Sequence, residues 1–141
     1  NTSTTLIGKH RNKMQVVAER GIETVSPLRA AKRKRQFDAV IEASGSPTGF
    51  ALALDLLRPR GTLVLKSTFH DITKIDAARI VVDEITIVGS RCGRFKPAID
   101  LLKRGSIDVA HLISEEFPLA KGVMAMSRAA ERGVMKVLLR P

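Results

Sequence analysis

The apolar residues of this chain fall in short runs whose period switches between that of a strand and that of a helix. This alternation limits the possible folds more than any other feature. Residues 4–7 read as a strand, and Met14, Val17 and Ala18 follow as a helical stripe that Gly21 is placed to end. Residues 22–25 make a short strand, and "SPLRAAKRKRQ" starts with a helix entry at Ser26-Pro27. "FDAVIEASG" (37–45) is a strand that stops at small residues. "SPTGFALALDLLRPRG" opens with cap chemistry at Ser46-Pro47, carries Phe50, Leu54 and Leu57 on one face, and ends at Pro59 and Gly61. "GTLVLKSTF" is a strand, and after a linker "DEITIVGSRCG" is another. A helix in "KPAIDLLKRG" puts Ala98, Leu101 and Leu102 on one face, with Gly105 beyond its end. In "FPLAKGVMAMSRAAERG" the shared face is Leu119, Val123, Met126 and Ala130, and "VMKVLLR" closes the chain as a strand.

Strands alternating with helices in this way argue for right-handed crossovers and a parallel sheet. Ligands of such sheets lie outside the carboxyl ends of the strands. Three of those ends finish in small residues, at Gly8, at Ala43-Ser44-Gly45 and at Gly89-Ser90. Small residues let a flat ligand approach the backbone.

Composition narrows the classes. A chain of 141 residues, 44% hydrophobic and 27% charged, is that of one ordinary globular domain. No apolar run approaches the roughly 20 residues that span a bilayer, and no signal-peptide pattern opens the chain, so a cytoplasmic setting is expected. The single cysteine, Cys92, excludes an internal disulfide framework or a cysteine-rich zinc site. The net charge of +10 favours phosphorylated or polyanionic partners. Trp and Tyr are absent, however, so stacking platforms for single-stranded nucleic acid are poorly supplied.

The segments "FDAVIEASGSPTGFALALDLLRPRGTLVLKS", "DEITIVGSRCGRFKPAIDLLKRGSID" and "FPLAKGVMAMSRAAERGVMKVLLRP" together resemble the zinc-type alcohol dehydrogenases of the medium-chain dehydrogenase/reductase family, from about Leu6 to Pro141. The resemblance implies an α/β fold: a Rossmann-like parallel sheet with flanking helices, lacking the first, central strand and its glycine-rich turn. Residues 1–141 would be a partial dinucleotide-binding domain with a C-terminal return segment from about 117, the catalytic zinc domain being absent. The implied activity is that of an NADP-preferring alcohol or polyol dehydrogenase, with NAD possible. Its zinc would have no ligands in this chain, the isolated chain would lack turnover, and the implied assembly is a homo-oligomer.

The resemblance also assigns positions. Gly8, Lys9, His10 and Arg11 would receive the 2′-phosphate where NAD-preferring relatives hold an acid, and Lys and Arg suit that dianion. Ser44 and Gly45 would lie against the adenine and its ribose. Lys66, Ser67 and Thr68 would line the nicotinamide face. The backbone of Ser90, Arg91 and Cys92 would bond the carboxamide, and Lys136 would contact the pyrophosphate. No catalytic or metal-ligating residue is assigned.

Plainer readings stand beside these. Lys9–Arg11 also fits a solvated turn, and "KRKR" (32–35) the wet face of a connecting helix. His10, His70 and His111 lack metal spacing and read as loop or surface residues. Cys92 reads as a passive thiol, Asp83 and Glu84 as a solvated turn, and Met124, Met126 and Met135 as core filler. The rival functions are a basic nucleic-acid-binding module and a non-catalytic oligomerisation piece.

One consequence concerns the sheet. In strand order 3-2-1-4-5-6 the first strand is central, and without it strands 2 and 3 lose their ladder to strands 4 to 6. Each buried unpaired backbone group costs on the order of 1–3 kcal/mol, and bare inner edges invite association. The expectation is a gapped or rearranged sheet, or one whose gap a partner's strand fills.

Overall fold

A computed structural model describes residues 2–68 and 74–141. In chain order it contains β1 (Thr5–Ile7), α1 (Arg11–Ala18), β2 (Glu23–Val25), α2 (Pro27–Ala30), β3 (Phe37–Glu42), α3 (Pro47–Leu56), β4 (Leu57–Leu65) and α4 (Ala77–Val82). β5 (Thr86–Gly89), α5 (Phe95–Lys103), β6 (Ile113–Pro118), α6 (Gly122–Ala129) and β7 (Lys136–Arg140) follow. Among the described residues the strands form three separate ladders, β1-β2, β3-β4-β5 and β6-β7. The last two are parallel throughout. The fold is therefore α/β with parallel sheets flanked by helices, and its strand pairing is gapped. The chain divides into two compact units, one of residues 25–92 and one of residues 1–24 with 93–141.

The unit of residues 25–92 is built on β3-β4-β5. Helix α3 starts where Ser46 accepts a hydrogen bond from the Gly49 N–H at 3.1 Å, with Pro47 preset for the first turn. Its spacing then sends Phe50, Ala53 and Leu54 into the core, where Leu57 and Leu63 of β4 and Ile85 join them, and Val40, Leu65, Ile80 and Ile87 pack around them. Leu57 and Leu63 are fully buried. Burying side chains of this size stabilises by about 1.5–3 kcal/mol each. The other face of the sheet leaves Ile41 and Val88 exposed.

Helix α3 stops at Leu56, ahead of the Pro59-Gly61 end expected from sequence. Leu57 is already extended and pairs with Phe37. Proline disfavours helical geometry in the residue before it, and the ladder captures the chain at once. The next pairing is Ala39 with Thr62, so residues 58–61 bulge out of register. Gly61 is required there, because a Cβ would lie 2.9 Å from the Arg58 carbonyl oxygen.

The linker expected before "DEITIVG" contains α4, which Asp76 caps by accepting from the Arg79 N–H at 3.4 Å. Its β-branched run Ile80-Val81-Val82 hides the helix from a periodicity reading. "KRKR" lies in turns after the four-residue α2, not on a helix. Asp83 is not solvated either. It is 5% exposed, with Arg35 at 2.6 Å and Arg79 at 3.5 Å.

In the other unit, α6 lies on the parallel β6-β7 pair. "ISEEFP" forms β6 although its charged middle conceals a strand. Glu115 and Glu116 point out to Arg128 and Arg140. The stripe expected to be core is exposed: Leu119 just before α6, Val123 and Met126 in it and Ala130 at its end all face solvent, as does Met124, and Ala125 is the buried residue. A two-stranded sheet covers one stripe of a helix, and here that stripe runs through Ala125. Met124 and Met126 are therefore not core filler. Helix α5 likewise buries none of its residues, Ala98, Leu101 and Leu102 included, and exposes Phe95 almost fully.

Candidate functional site

Parallel pairing brings the ends of β3, β4 and β5 to one edge. Glu42 pairs with Leu65 and Leu65 with Gly89, so the last residues of all three strands stand in one row. The ladder continues one residue beyond it: the Lys66 N–H donates to the Glu42 carbonyl and the Ser90 N–H to the Leu65 carbonyl, both at 2.9 Å. Three loops leave this row: Ala43-Ser44-Gly45, Lys66-Ser67-Thr68 and Ser90-Arg91-Cys92.

These loops are tied to each other. The Gly45 N–H donates to Ser67 Oγ at 2.8 Å, and Lys66 Nζ donates to the Arg91 carbonyl at 2.5 Å. Gly45 has a φ of +68°, which a side chain would strain, and a Cβ built on Gly45 or Gly89 would meet nothing within 4 Å. Open space therefore stands over the backbone at two points of the crest. Lys66, Thr68, Ser90, Arg91 and Cys92 are exposed around it, and the Cys92 thiol is free.

Beneath the crest lies a residue that sequence reading passed over. Glu42 ends β3 and is 2% exposed. Its Oε1 accepts from the Ser44 N–H and the Ser44 hydroxyl, each at 2.6 Å, and its Oε2 is buried with no hydrogen bond among the described residues. Burial pushes the carboxyl up, but the nearby Ser44 and Ser67 hydroxyls and the Ser44 and Gly45 N–H groups outweigh it and hold it below the usual carboxylate range. The signal was present in "FDAVIEASG": Glu42 shares strand parity with core-facing Val40, where a charge is out of place.

The remaining expected site residues belong to the other unit. Gly8, Lys9 and His10 connect β1 to α1, and Arg11 is the first residue of α1. Lys9, His10 and Arg11 are exposed, and among the described residues none has an ion-pair partner. His10 stands at the start of α1 without a side-chain cap, and the first turn carries no acid. Lys136 opens β7, exposed. Gly8 is fitted closely, since a Cβ there would approach Met14 Cγ to 3.1 Å. Of the histidines, His111 Nδ1 lies 2.6 Å from an Arg20 nitrogen, and His70 lies outside the described residues.

The open crest with its glycines fits a flat ligand held against backbone. A metal is different: among the described residues no group of three or more His, Cys, Asp or Glu could hold an ion. Nor, among them, is any helix long and apolar enough to cross a membrane.

Residues 12–104 match the family model of zinc-binding dehydrogenases. The chain is 28% identical over 106 residues to the D-arabitol-phosphate dehydrogenase of Enterococcus avium, covering 72% of this chain and 30% of that protein. Among solved structures, a Sinorhizobium meliloti 1021 protein described as a zinc-binding dehydrogenase and bound to NADP superposes with a TM-score of 0.88 at 24% identity. That match covers 99% of this chain and 45% of the other. An alcohol dehydrogenase from E. coli CFT073, complexed with NADH, gives 0.85 at 20% identity, over 97% of this chain and 44% of the other. The chain thus spans less than half of each of these three proteins.

Proposed function

This chain belongs to the zinc-binding dehydrogenase family, and from that premise we propose that it is the dinucleotide-binding portion of an NADP-preferring alcohol or polyol dehydrogenase. The observation that carries the reading is the row Glu42–Leu65–Gly89, where three parallel strands end under linked loops with open space at Gly45 and Gly89. This is the carboxyl-end crevice in which α/β sheets take their ligands. In this reading Ser44 and Gly45 meet the adenosine, Lys66, Ser67 and Thr68 flank the nicotinamide, and the backbone at Ser90, Arg91 and Cys92 orients its carboxamide.

NADP rather than NAD is inferred from Gly8, Lys9, His10 and Arg11. Two exposed cations and the uncapped N–H groups opening α1 suit a 2′-phosphate, and no acid repels it there. Lys136 is assigned to the pyrophosphate. Hydride transfer is what a nicotinamide supplies when bound; this chain's part is placement of the ring and neutralisation of phosphate charge. No step is derived through zinc, because the described residues do not form a site for it, and the isolated chain is expected to lack turnover. An alcohol or polyol is the inferred substrate, from the polyol-phosphate dehydrogenase relative. The exposed apolar faces of α5 and α6 support a homo-oligomer, and the free thiol of Cys92 suits a cytoplasmic setting.

Calorimetric titration of the chain with NADPH and NADH separately tests the reading. NADPH should bind more tightly, and Arg11→Asp should cost NADPH about tenfold or more, as expected for loss of a hydrogen bond between charged groups, while sparing NADH. Equal response to both cofactors would remove the phosphate assignment, and response to neither would remove the function.

A further inference from the structure

We propose that Glu42 is the positioning residue of the crest, an ionised carboxylate that fixes the Ser44–Gly45 turn and the entry to α3 in the shape that a dinucleotide meets. The inference rests on the cofactor reading above.

A buried carboxylate ordinarily needs a cation. Among the described residues none pairs with Glu42; neutral donors surround it instead, and this makes it directional. An ionised carboxylate only accepts, so the Ser44 hydroxyl must turn its proton inward to Oε1 at 2.6 Å. The Ser44 oxygen is then left to accept from the Ser46 N–H at 3.3 Å, and it lies 3.0 Å from the Ser46 hydroxyl. Ser46 Oγ in turn accepts the Gly49 N–H and caps α3. One charge at the end of β3 thereby sets the proton direction along a chain of hydroxyls reaching the helix. A branch runs to the loop after β4, where Ser67 receives the Gly45 N–H.

The packing allows little slack. A Cβ on Gly49 would lie 1.9 Å from Ser44 Oγ and 2.7 Å from Ser44 Cβ, so the helix start presses on the serine that Glu42 orients. Glutamine has the same outline but cannot substitute. It keeps one acceptor for Ser44 and puts an NH2 group at the place of Oε2, where no hydrogen-bond partner stands among the described residues.

Amide hydrogen exchange and calorimetry on the full chain test this with Glu42→Gln and Ser44→Ala. In Glu42→Gln the amides of Ser44, Gly45 and Gly49 should exchange about tenfold faster or more, the scale of one lost hydrogen bond to a charged group. Those of Leu63 and Val64 in β4 should keep the wild-type rate, and NADPH should bind about tenfold more weakly. Ser44→Ala should raise exchange at Ser46, whose N–H loses its acceptor, and by less at Gly49, and it decides the matter if Glu42→Gln does not fold. Unchanged crest amides, a rise shared equally by Leu63 and Val64, or loosened amides with undiminished NADPH affinity would each overturn the proposal. If the wild-type chain binds neither NADPH nor NADH, the cofactor reading falls, and the exchange pattern still decides whether Glu42 organises the crest.

Discussion

The three-stranded sheet has two differently built ends. At the entry to the strands, charges are paired with charges: Arg35 and Arg79 with Asp83, Arg79 and Lys34 with Asp55, and Arg58 with Asp38. Non-glycine residues there hold left-handed backbone, Arg35 at φ 60°, Arg60 at 63° and Glu84 at 50°, a conformation that persists only where surroundings enforce it. At the exit, one carboxylate stands, without a cation among the described residues, amid short hydroxyls, backbone N–H groups and glycines. The entry is closed by matched charge, whereas the exit leaves donors and open space. A ligand can use the second arrangement and has little to gain from the first.

The sharpest way to break this contrast is Asp83→Ala. It leaves Arg35 and the half-buried Arg79 without their shared carboxylate, at an expected cost of about 1–3 kcal/mol in unfolding free energy. Urea unfolding followed by circular dichroism measures it. NADPH affinity, corrected for the folded fraction, should not change; a loss there would mean that the two ends are not independent. Gly49→Ala attacks the other end. Its methyl must displace the Ser44 side chain, Cβ as well as hydroxyl, and overpacking of about 1–3 kcal/mol is offset in part by the better helix propensity of alanine, by about 1 kcal/mol. Here NADPH binding should weaken more than stability does.

Acid pH probes the exit with no large structural insult. The folded-state pKa of Glu42 is depressed below the ordinary value of 4.5, so its contribution is present above that value and is lost as pH falls through the lower, folded pKa. Glu42→Gln should remove this part of the acid sensitivity, flattening the fall in stability between pH 4.5 and lower values. An unaltered acid limb would place the charge of Glu42 outside the folding balance.

Much of this sheet was legible beforehand, because its signals are local. Ser46-Pro47 starts α3, the Phe50–Leu54 spacing finds the core, and small residues mark the strand tips. Three features were hidden, each by a longer-range cause. Periodicity cannot distinguish a helix stripe that packs from one that stays bare, so the exposed face of α6 looked like core. The chemistry of Glu42 depends on serines that only the parallel register gathers. The left-handed Arg35 and Arg60 carry no glycine signature, and the distant carbonyls of Asp55 and Asp83 hold their N–H groups. The basic tip at Lys9–Arg11 was plain as composition, but its role depends on a ligand.

The smallest effect probes the entry end from within. Glu84→Gly relieves a left-handed side chain, worth about 1–2 kcal/mol, and gives back about 0.4–1 kcal/mol through the freer unfolded chain. Its ion pair with Arg60 is 3.5 Å long and mostly in water, so losing it should cost little. The net expectation is a stabilisation of about 0.5 kcal/mol, the difference between those two terms. Arg35→Gly relieves the same kind of strain but loses the 2.6 Å bond to buried Asp83, and it should destabilise. Opposite signs for the two substitutions would show that paired charge, rather than backbone preference, holds this end together. A gain in both would mean that the strain is merely tolerated and the ion pairs are ornamental.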